Sequence, residues 1–565
     1  MIGKKYMGLL DYANGVDSFR GVHSSGVLHF GHLDDKAVDL LEWMGPHDSP
    51  LTLESIATGM EVPEDLVIPH LETLKHEGML EQTEDGYRVR DHVRHRITEH
   101  DGAHRRHLLG SMLIGAFSFS RYRILDFLLV ITAQVMIARW AGFKNFGDVV
   151  VVGLIATIIG IAATGGLCNI LTVFLPEYEH SDDRNRFLGL FRYVMTRVVL
   201  SSIIVTSLCI GVTLLLPLSD QTKFLMALAF CKIPLWNIWD VAQLVSASVK
   251  QWTRAYIVEY IIQPLALIGL LVTAHFMLEQ ITAEQVIVIK LVTAAIAMSL
   301  QLLIASHFIS RYCKGATPEY DAREGNAKAR PLLFNTLVAI LRGSVPLLTL
   351  QAFVGGVVPG MFAAARSAVM PVGIVRAAFK NSGTPDISWL FERGFNERLS
   401  YLCRTMTGAN AIVTLMIVPP IAIFGHEILA LYGNDSDATY GLLLLLLCGS
   451  VILSLFGYPT AFLRNTEFQK NAVIVSLISL FTMLALVWIF VIPNRHDPTA
   501  ALIGCGFAIM TNAVVIQSGA WFFMIRDIGF TSFVTGTFIP LRYRYLERFF
   551  RRSVETGAVV EAVSR

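Results

Sequence analysis

From about residue 120 to residue 525 the chain is built of apolar stretches of about 20–30 residues, each long enough as a helix to cross the ~30 Å hydrocarbon core of a bilayer. Twelve can be marked, at 120–140, 147–174, 188–216, 222–248, 254–277, 281–309, 331–355, 358–379, 402–424, 437–463, 469–493 and 499–525. Backbone polar groups in lipid must satisfy one another, so these stretches read as helices. The expected fold class is an all-α polytopic membrane protein. Composition agrees, since only 16% of residues are charged, against about 25% in soluble domains.

The tightest of the turns lies in Ala138–His180. One apolar run ends at Arg139 and Trp140, a turn runs from Gly142 to Gly147, and a second run ends in the acidic Glu177-Tyr178-Glu179. Two spanning lengths around a short turn make a membrane hairpin. An arginine at its rim is costly unless it faces water, protein or an anionic ligand.

Residues 1–28 are mixed in character, with no sustained apolar run after Lys4 and Lys5, so no signal peptide is expected. From 29 to 108 the pattern is that of a small domain. Asp34-Asp35 can cap a helix carrying Val38, Leu40, Leu41 and Met44, and a second helix starts at Leu51. A third runs from Glu64 to His76, and two short strands flank Glu84-Asp85-Gly86. Helix, helix, helix, hairpin is the order of a winged helix-turn-helix. A DNA reader needs a basic face, yet residues 33–91 hold four Lys/Arg against fifteen Asp/Glu, and Pro69 interrupts the third helix. DNA is therefore not the expected partner, and a docking or regulatory role is. The linker 91–107 carries five histidines among arginines, at no spacing that closes a metal site; it reads as a basic segment near anionic headgroups.

Lys and Arg set the orientation. With residue 119 inside, the outer loops and flanks hold Arg139, Lys144, Lys223 and Arg495, while the inner ones hold sixteen cations, from Arg184 to Lys470. Both termini are thus expected in the cytoplasm. The tail 527–565, with Arg542, Arg544, Arg551 and Arg552, would rest on the inner surface. The polar segment 311–330 divides the spans into two six-helix lobes, 109–310 and 331–526. Gly142–Gly147 after the first helix loosely parallels Gly355–Gly360 after the seventh.

No nucleophile elbow, phosphate loop or paired-carboxylate motif is present, and the seven cysteines lie scattered in apolar runs. An enzyme is not expected, nor is a cofactor or metal. What stands out is charge within the spans: Arg342, Arg366, Lys232 and Lys290, with Arg123 and Arg139 at the ends of the first helix, and the acids Asp126, Asp240 and Glu259. Each would cost at least about 2.5–3.5 kcal/mol at the bilayer centre unless it faced water or a partner. Cations outnumber acids, so a cavity lined by them should suit an anion, and arginine suits phosphate. Arg139 also reads as a headgroup anchor, Arg123 as a positive-inside anchor, and Lys290 as half of an ion pair. Pro346 and Pro371 would bend the helices that carry Arg342 and Arg366.

The pattern ARWAGFKNFG followed by FLPEY resembles the opening helices of polysaccharide (O-antigen and exopolysaccharide) flippases, of the multidrug/oligosaccharidyl-lipid/polysaccharide exporter superfamily. So do MFAAARSAVMPVG with ISWLFERGFNERLSYLCRT, FGHEILALYGNDSDATYGLLLLL and LRNTEFQKNAVIVSLISL, and together the likeness spans about 120–526. It implies two six-helix bundles around a cationic cavity and transport of a lipid-linked oligosaccharide from the inner to the outer leaflet, coupled to an ion gradient. On that reading Arg342, Arg366, Arg139, Lys290, Lys232 and Arg123 bind substrate and Asp126, Asp240 and Glu259 couple the ion. Partners would be the glycolipid, membrane lipids and, through the added N-terminal domain, polysaccharide-synthesis proteins. Two other readings remain open: a drug or cation antiporter of the same fold, and a membrane-tethered regulator or scaffold.

Overall fold

The computed structural model describes residues 40, 44, 50–60, 64–76, 79–83, 86–248, 252–278, 280–319, 322–392, 396–433, 437–464, 466 and 468–528. The expectations for residues 1–28 and for the basic tail beyond 528 lie outside these, as does most of the helix proposed from Asp34. The chain divides into two compact units, residues 1–118 with 381–405, and residues 119–380 with 406–565.

In the smaller unit, α1 (Leu53–Met60) and α2 (Glu64–His76) lead into a hairpin of β1 (Leu80–Thr83) and β2 (Gly86–Val89). The strands pair antiparallel, Leu80 opposite Val89. Leu40, Met44, Ile56, Val67, Leu71, Leu74, Leu80 and Val89 form one apolar core. Gly86 has φ 135° and lies so close to the Leu51 carbonyl that a side chain there would overlap it. That approach lets Leu51 and Tyr87 exchange backbone hydrogen bonds at 2.8 Å, adding a third strand-like segment to the hairpin.

α3 (Asp91–Ala163) is kinked at Gly142, whose φ of 82° and ψ of 159° only glycine adopts readily. A break at Gly165 and Gly166, both with positive φ, separates it from α4 (Leu167–His180). Then follow α5 (Arg184–Leu215), α6 (Asp220–Ser248) and α7 (Trp252–Ile257). A five-residue π-helix, Val258–Ile262, leads to α8 (Gln263–Met277) and then α9 (Ala283–Tyr312). Asp183 caps α5 by accepting from the Arg186 N–H, and Thr282 with Gln285 forms a capping box on α9. The second half comprises α10 (Ala322–Phe353), α11 (Val358–Ala368), α12 (Met370–Glu392), α13 (Asn396–Ile423), α14 (Gly425–Leu431) and α15 (Asp437–Phe456). It ends with α16 (Pro459–Arg464), α17 (Gln469–Phe490) and α18 (Pro498–Ile528).

Helices pack both within each half and across them, α4 lying against α10. α6 packs on α5, α9 and α4; α18 packs on α15 and α17, and α17 on α10. Buried polar contacts pin each set. Asn237 donates to the Gly160 carbonyl at 3.0 Å and to Ser202 Oγ at 2.8 Å, and Ser479 donates to Asn512 Oδ1 at 2.8 Å. Such interhelical bonds contribute about 0.6–2 kcal/mol each in a membrane.

Among the described residues ten helices are long and apolar enough to cross a membrane. Val358–Ala368 and Met370–Thr384, meeting at 49°, make an eleventh if taken as one broken span. The twelve separate helices expected are thus reduced to ten or eleven. The difference lies in α3, where Tyr122–Ala163 counts as one helix of 42 residues, about 63 Å long and so about twice the hydrocarbon core, kinked at Gly142.

Candidate functional site

The second half gathers cations. The bend after Ala368 sets Arg366 beside α10, where its Nη1 donates to the Gly343 carbonyl at 3.1 Å, next door to Arg342. Arg376, on α12, lies within electrostatic range of Arg342 and of Lys380, and Lys380 within range of Arg464. The Arg376 guanidinium donates to the Gly457 carbonyl at 3.4 Å and stands 5.8 Å from the Tyr458 ring. The Tyr458 hydroxyl donates back to the Arg376 carbonyl at 3.2 Å. Gly457 has φ 75°, and this break between α15 and α16 frees the carbonyl that Arg376 and Gln517 both use. Among the described residues neither Arg342, Arg366 nor Arg376 makes an ion pair. Arg366 keeps an exposed side chain. Like charges held together without carboxylates create a field that an anion relieves.

The first half gathers acids. Asp126 is buried, 3.9 Å from Arg123. The Arg123 guanidinium stands 4.6 Å over the Tyr260 ring, which stacks on Tyr256 at 5.1 Å. Glu259 and Tyr260 lie on the π-helix, a local widening that often accompanies a functional site. Glu259 accepts from Gln243 Nε2 at 2.5 Å and lies within electrostatic range of Asp126 and Asp240. Asp240 lies close to the Cys168 thiol, just past the Gly165-Gly166 break. Asp126, Asp240 and Glu259 are thus brought together, and Arg123 joins them rather than the arginines of the second half.

Lys232 and Lys290 form a third group, on α6 and α9, within electrostatic range of each other. Arg139 does something else again. Its Nε donates to the Leu431 carbonyl at 2.7 Å and its Nη2 to the Ala430 carbonyl at 3.1 Å, at the C-terminal end of α14. Nearby, a Cβ on Gly147 would lie 2.7 Å from the Gly360 nitrogen, and one on Gly360 would overlap the Phe143 carbonyl. Gln351 donates to Asp148 at 3.4 Å, and Ser367 to Gln134 at 2.5 Å. The first half is therefore joined to the second around Gly142 by a guanidinium cap, a glycine–glycine contact and two polar pairs. Among the described residues no group of three His, Cys, Asp or Glu could hold a metal ion.

Sequence reasoning missed Arg376 and Tyr458. A second arginine ten residues after Arg366 in one apolar stretch was the available signal for the first. Nothing local marks Tyr458 except the Gly-Tyr-Pro break.

No family model and no curated sequence matches the chain. Solved structures do. A multidrug resistance MATE family transporter of the MOP superfamily, in its inward-facing conformation, aligns with a TM-score of 0.53 at 13% identity, covering 70% of this chain and 93% of that one. A MATE in complex with MaL6 aligns at 0.52 and 13% identity, with coverage of 72% and 95%. A Pyrococcus furiosus MOP superfamily transporter, described as having a binding pocket of reversed polarity, aligns at 0.51 and 14% identity, with coverage of 73% and 93%. At such identities the likeness speaks for the fold: this chain is a multi-pass membrane protein with the fold of the MATE transporters of the MOP superfamily.

Proposed function

We propose that the protein is a flippase that moves an anionic lipid-linked oligosaccharide from the inner to the outer leaflet of the cell inner membrane by alternating access, with its termini cytoplasmic. The observation that carries this reading is that Arg376 lies within electrostatic range of Arg342 and Arg366 donates to the neighbouring Gly343 carbonyl, with no carboxylate paired to any of the three among the described residues. A phosphate or diphosphate headgroup offers the oxygens that guanidinium groups contact in pairs. The contacts around Gly142, on the expected outer side, would close that end while the headgroup loads from inside. Opening it requires Arg139 to leave the α14 carbonyls. On this reading the kinked α3 crosses the membrane twice, which restores twelve crossings in two lobes of six. The acids of the first lobe supply the coupling site. The acidic N-terminal domain, read as a winged helix, would dock a polysaccharide-synthesis protein.

A drug or cation antiporter of the same fold is the second reading, favoured by the gathering of Asp126, Asp240 and Glu259. The test is transport in proteoliposomes of a fluorescent polyprenyl diphosphate sugar. Arg342→Ala and Arg366→Ala should each lower transport at least about tenfold with normal insertion, the scale of one lost charge-assisted hydrogen bond. Wild-type rates in both variants would remove the basis for the anionic substrate.

A further inference from the structure

Lys232 and Lys290 stand apart from the arginine set of the second lobe. They project from α6 and α9, helices that pack along each other. Lys232 lies twelve residues into α6 and Lys290 seven into α9, about 18 Å and 10 Å from ends that both start on the expected outer side. Both lysines are half-buried and retain accessible side chain. Among the described residues neither makes an ion pair or a side-chain hydrogen bond, and Lys290 lies within electrostatic range of Lys232. Asp240 is eight residues from Lys232 on the same helix, about 12 Å away along the axis.

An aromatic surface completes the group. The Lys232 ammonium stands 4.9 Å from the Trp236 ring. Trp236 is 36% exposed and meets the buried Trp239 in a T-shaped contact at 4.7 Å, which fixes its orientation. A fixed, partly exposed indole beside ammonium groups offers an apolar face for the C–H side of a pyranose and donors for its polar side. Lysine, a compact point charge with three rotatable donors, lacks the planar fork that matches phosphate so well.

We propose that Lys232, Lys290 and Trp236 form a second anion site that takes the carboxylate of an acidic sugar in the transported oligosaccharide. This rests on the glycolipid reading above, and adds that the repeat unit is itself acidic. The arginines hold the diphosphate while the lysine pair reads the glycan, so the substrate bears two separated anionic groups.

The test uses the purified full-length chain and two synthetic polyprenyl diphosphate disaccharides, one ending in N-acetylglucosamine and one in glucuronic acid. The wild type should bind the glucuronate lipid at least tenfold more tightly. Lys232→Gln with Lys290→Gln should bring the affinities for the two lipids within twofold of each other. Lys232→Arg with Lys290→Arg should keep the preference, which excludes a folding defect as the cause. Arg342→Ala should weaken both lipids equally. No preference in the wild type, or a preference that survives the double Gln variant, overturns the acidic-sugar site while leaving the flippase reading intact. Failure of the wild type to bind either lipid overturns both. Phosphatidylglycerol, added as competitor, should leave the preference unchanged; its loss would assign the lysines to a bilayer phosphate instead.

Discussion

Gly147 and Gly360 meet backbone to backbone, so closely that a single added carbon on Gly147 would sit 2.7 Å from the Gly360 nitrogen. The two glycines occupy matching places, each just after the first turn of its half. Their contact sets how near the halves approach at this end. Gly147→Ala or Gly360→Ala should force that end apart. Spin labels at the exposed Lys144 and Asp437 would read the change: double electron–electron resonance should show a longer distance gaining population in either variant. An unchanged distribution would mean that this contact does not limit closure.

The Arg139 cap on Ala430 and Leu431 adds two charge-assisted hydrogen bonds to the same closure, each worth about 1.5–3 kcal/mol if fully formed and less at an exposed site. Arg139→Gln should shift the label distances in the same direction and slow transport several-fold. Equal rates and distances in the variant would reduce Arg139 to a headgroup anchor.

For the acid cluster, Asp126→Asn, Asp240→Asn and Glu259→Gln should each lower gradient-driven transport at least about tenfold, while equilibrium binding of a polyprenyl diphosphate sugar changes by less than about twofold. Transport and binding measured on the same preparations separate these effects. A large loss of binding would make the acids part of the substrate site, as a cation antiporter requires.

Much of this was legible in the sequence because membrane helices announce themselves by length and apolarity. The boundaries expected at 222–248 and 469–493 fall within a few residues of those observed at Asp220–Ser248 and Gln469–Phe490. The bend near Arg366 was signalled by Pro371. What local pattern does not carry is which charges meet. Arg123 and Arg342 look alike along the chain, yet one sits over Tyr260 among acids and the other beside Arg376. Partner choice depends on contacts between residues far apart in sequence, such as Arg139 with Leu431. The π-helix at Val258–Ile262 left no mark either, since it rearranges backbone bonds without needing Gly or Pro.

The small unit offers a separate test. Leu74 is fully buried in its core, and Leu74→Ala should destabilise that unit by about 2–5 kcal/mol. Hydrogen exchange on the full chain should show faster exchange across Leu53–Val89 with the membrane helices unaffected. Unchanged protection there would mean the core is not the unit's main support.

The central claim is that the cationic region at Arg342, Arg366 and Arg376 selects an anion. Competitive binding to the purified protein tests it most directly, with a polyprenyl diphosphate set against the uncharged polyprenol and against tetraphenylphosphonium, a lipophilic cation. The account predicts that the diphosphate binds at least tenfold more tightly than either, and that Arg342→Ala with Arg376→Ala removes that advantage. Tighter binding of tetraphenylphosphonium, undiminished in the double variant, would contradict it.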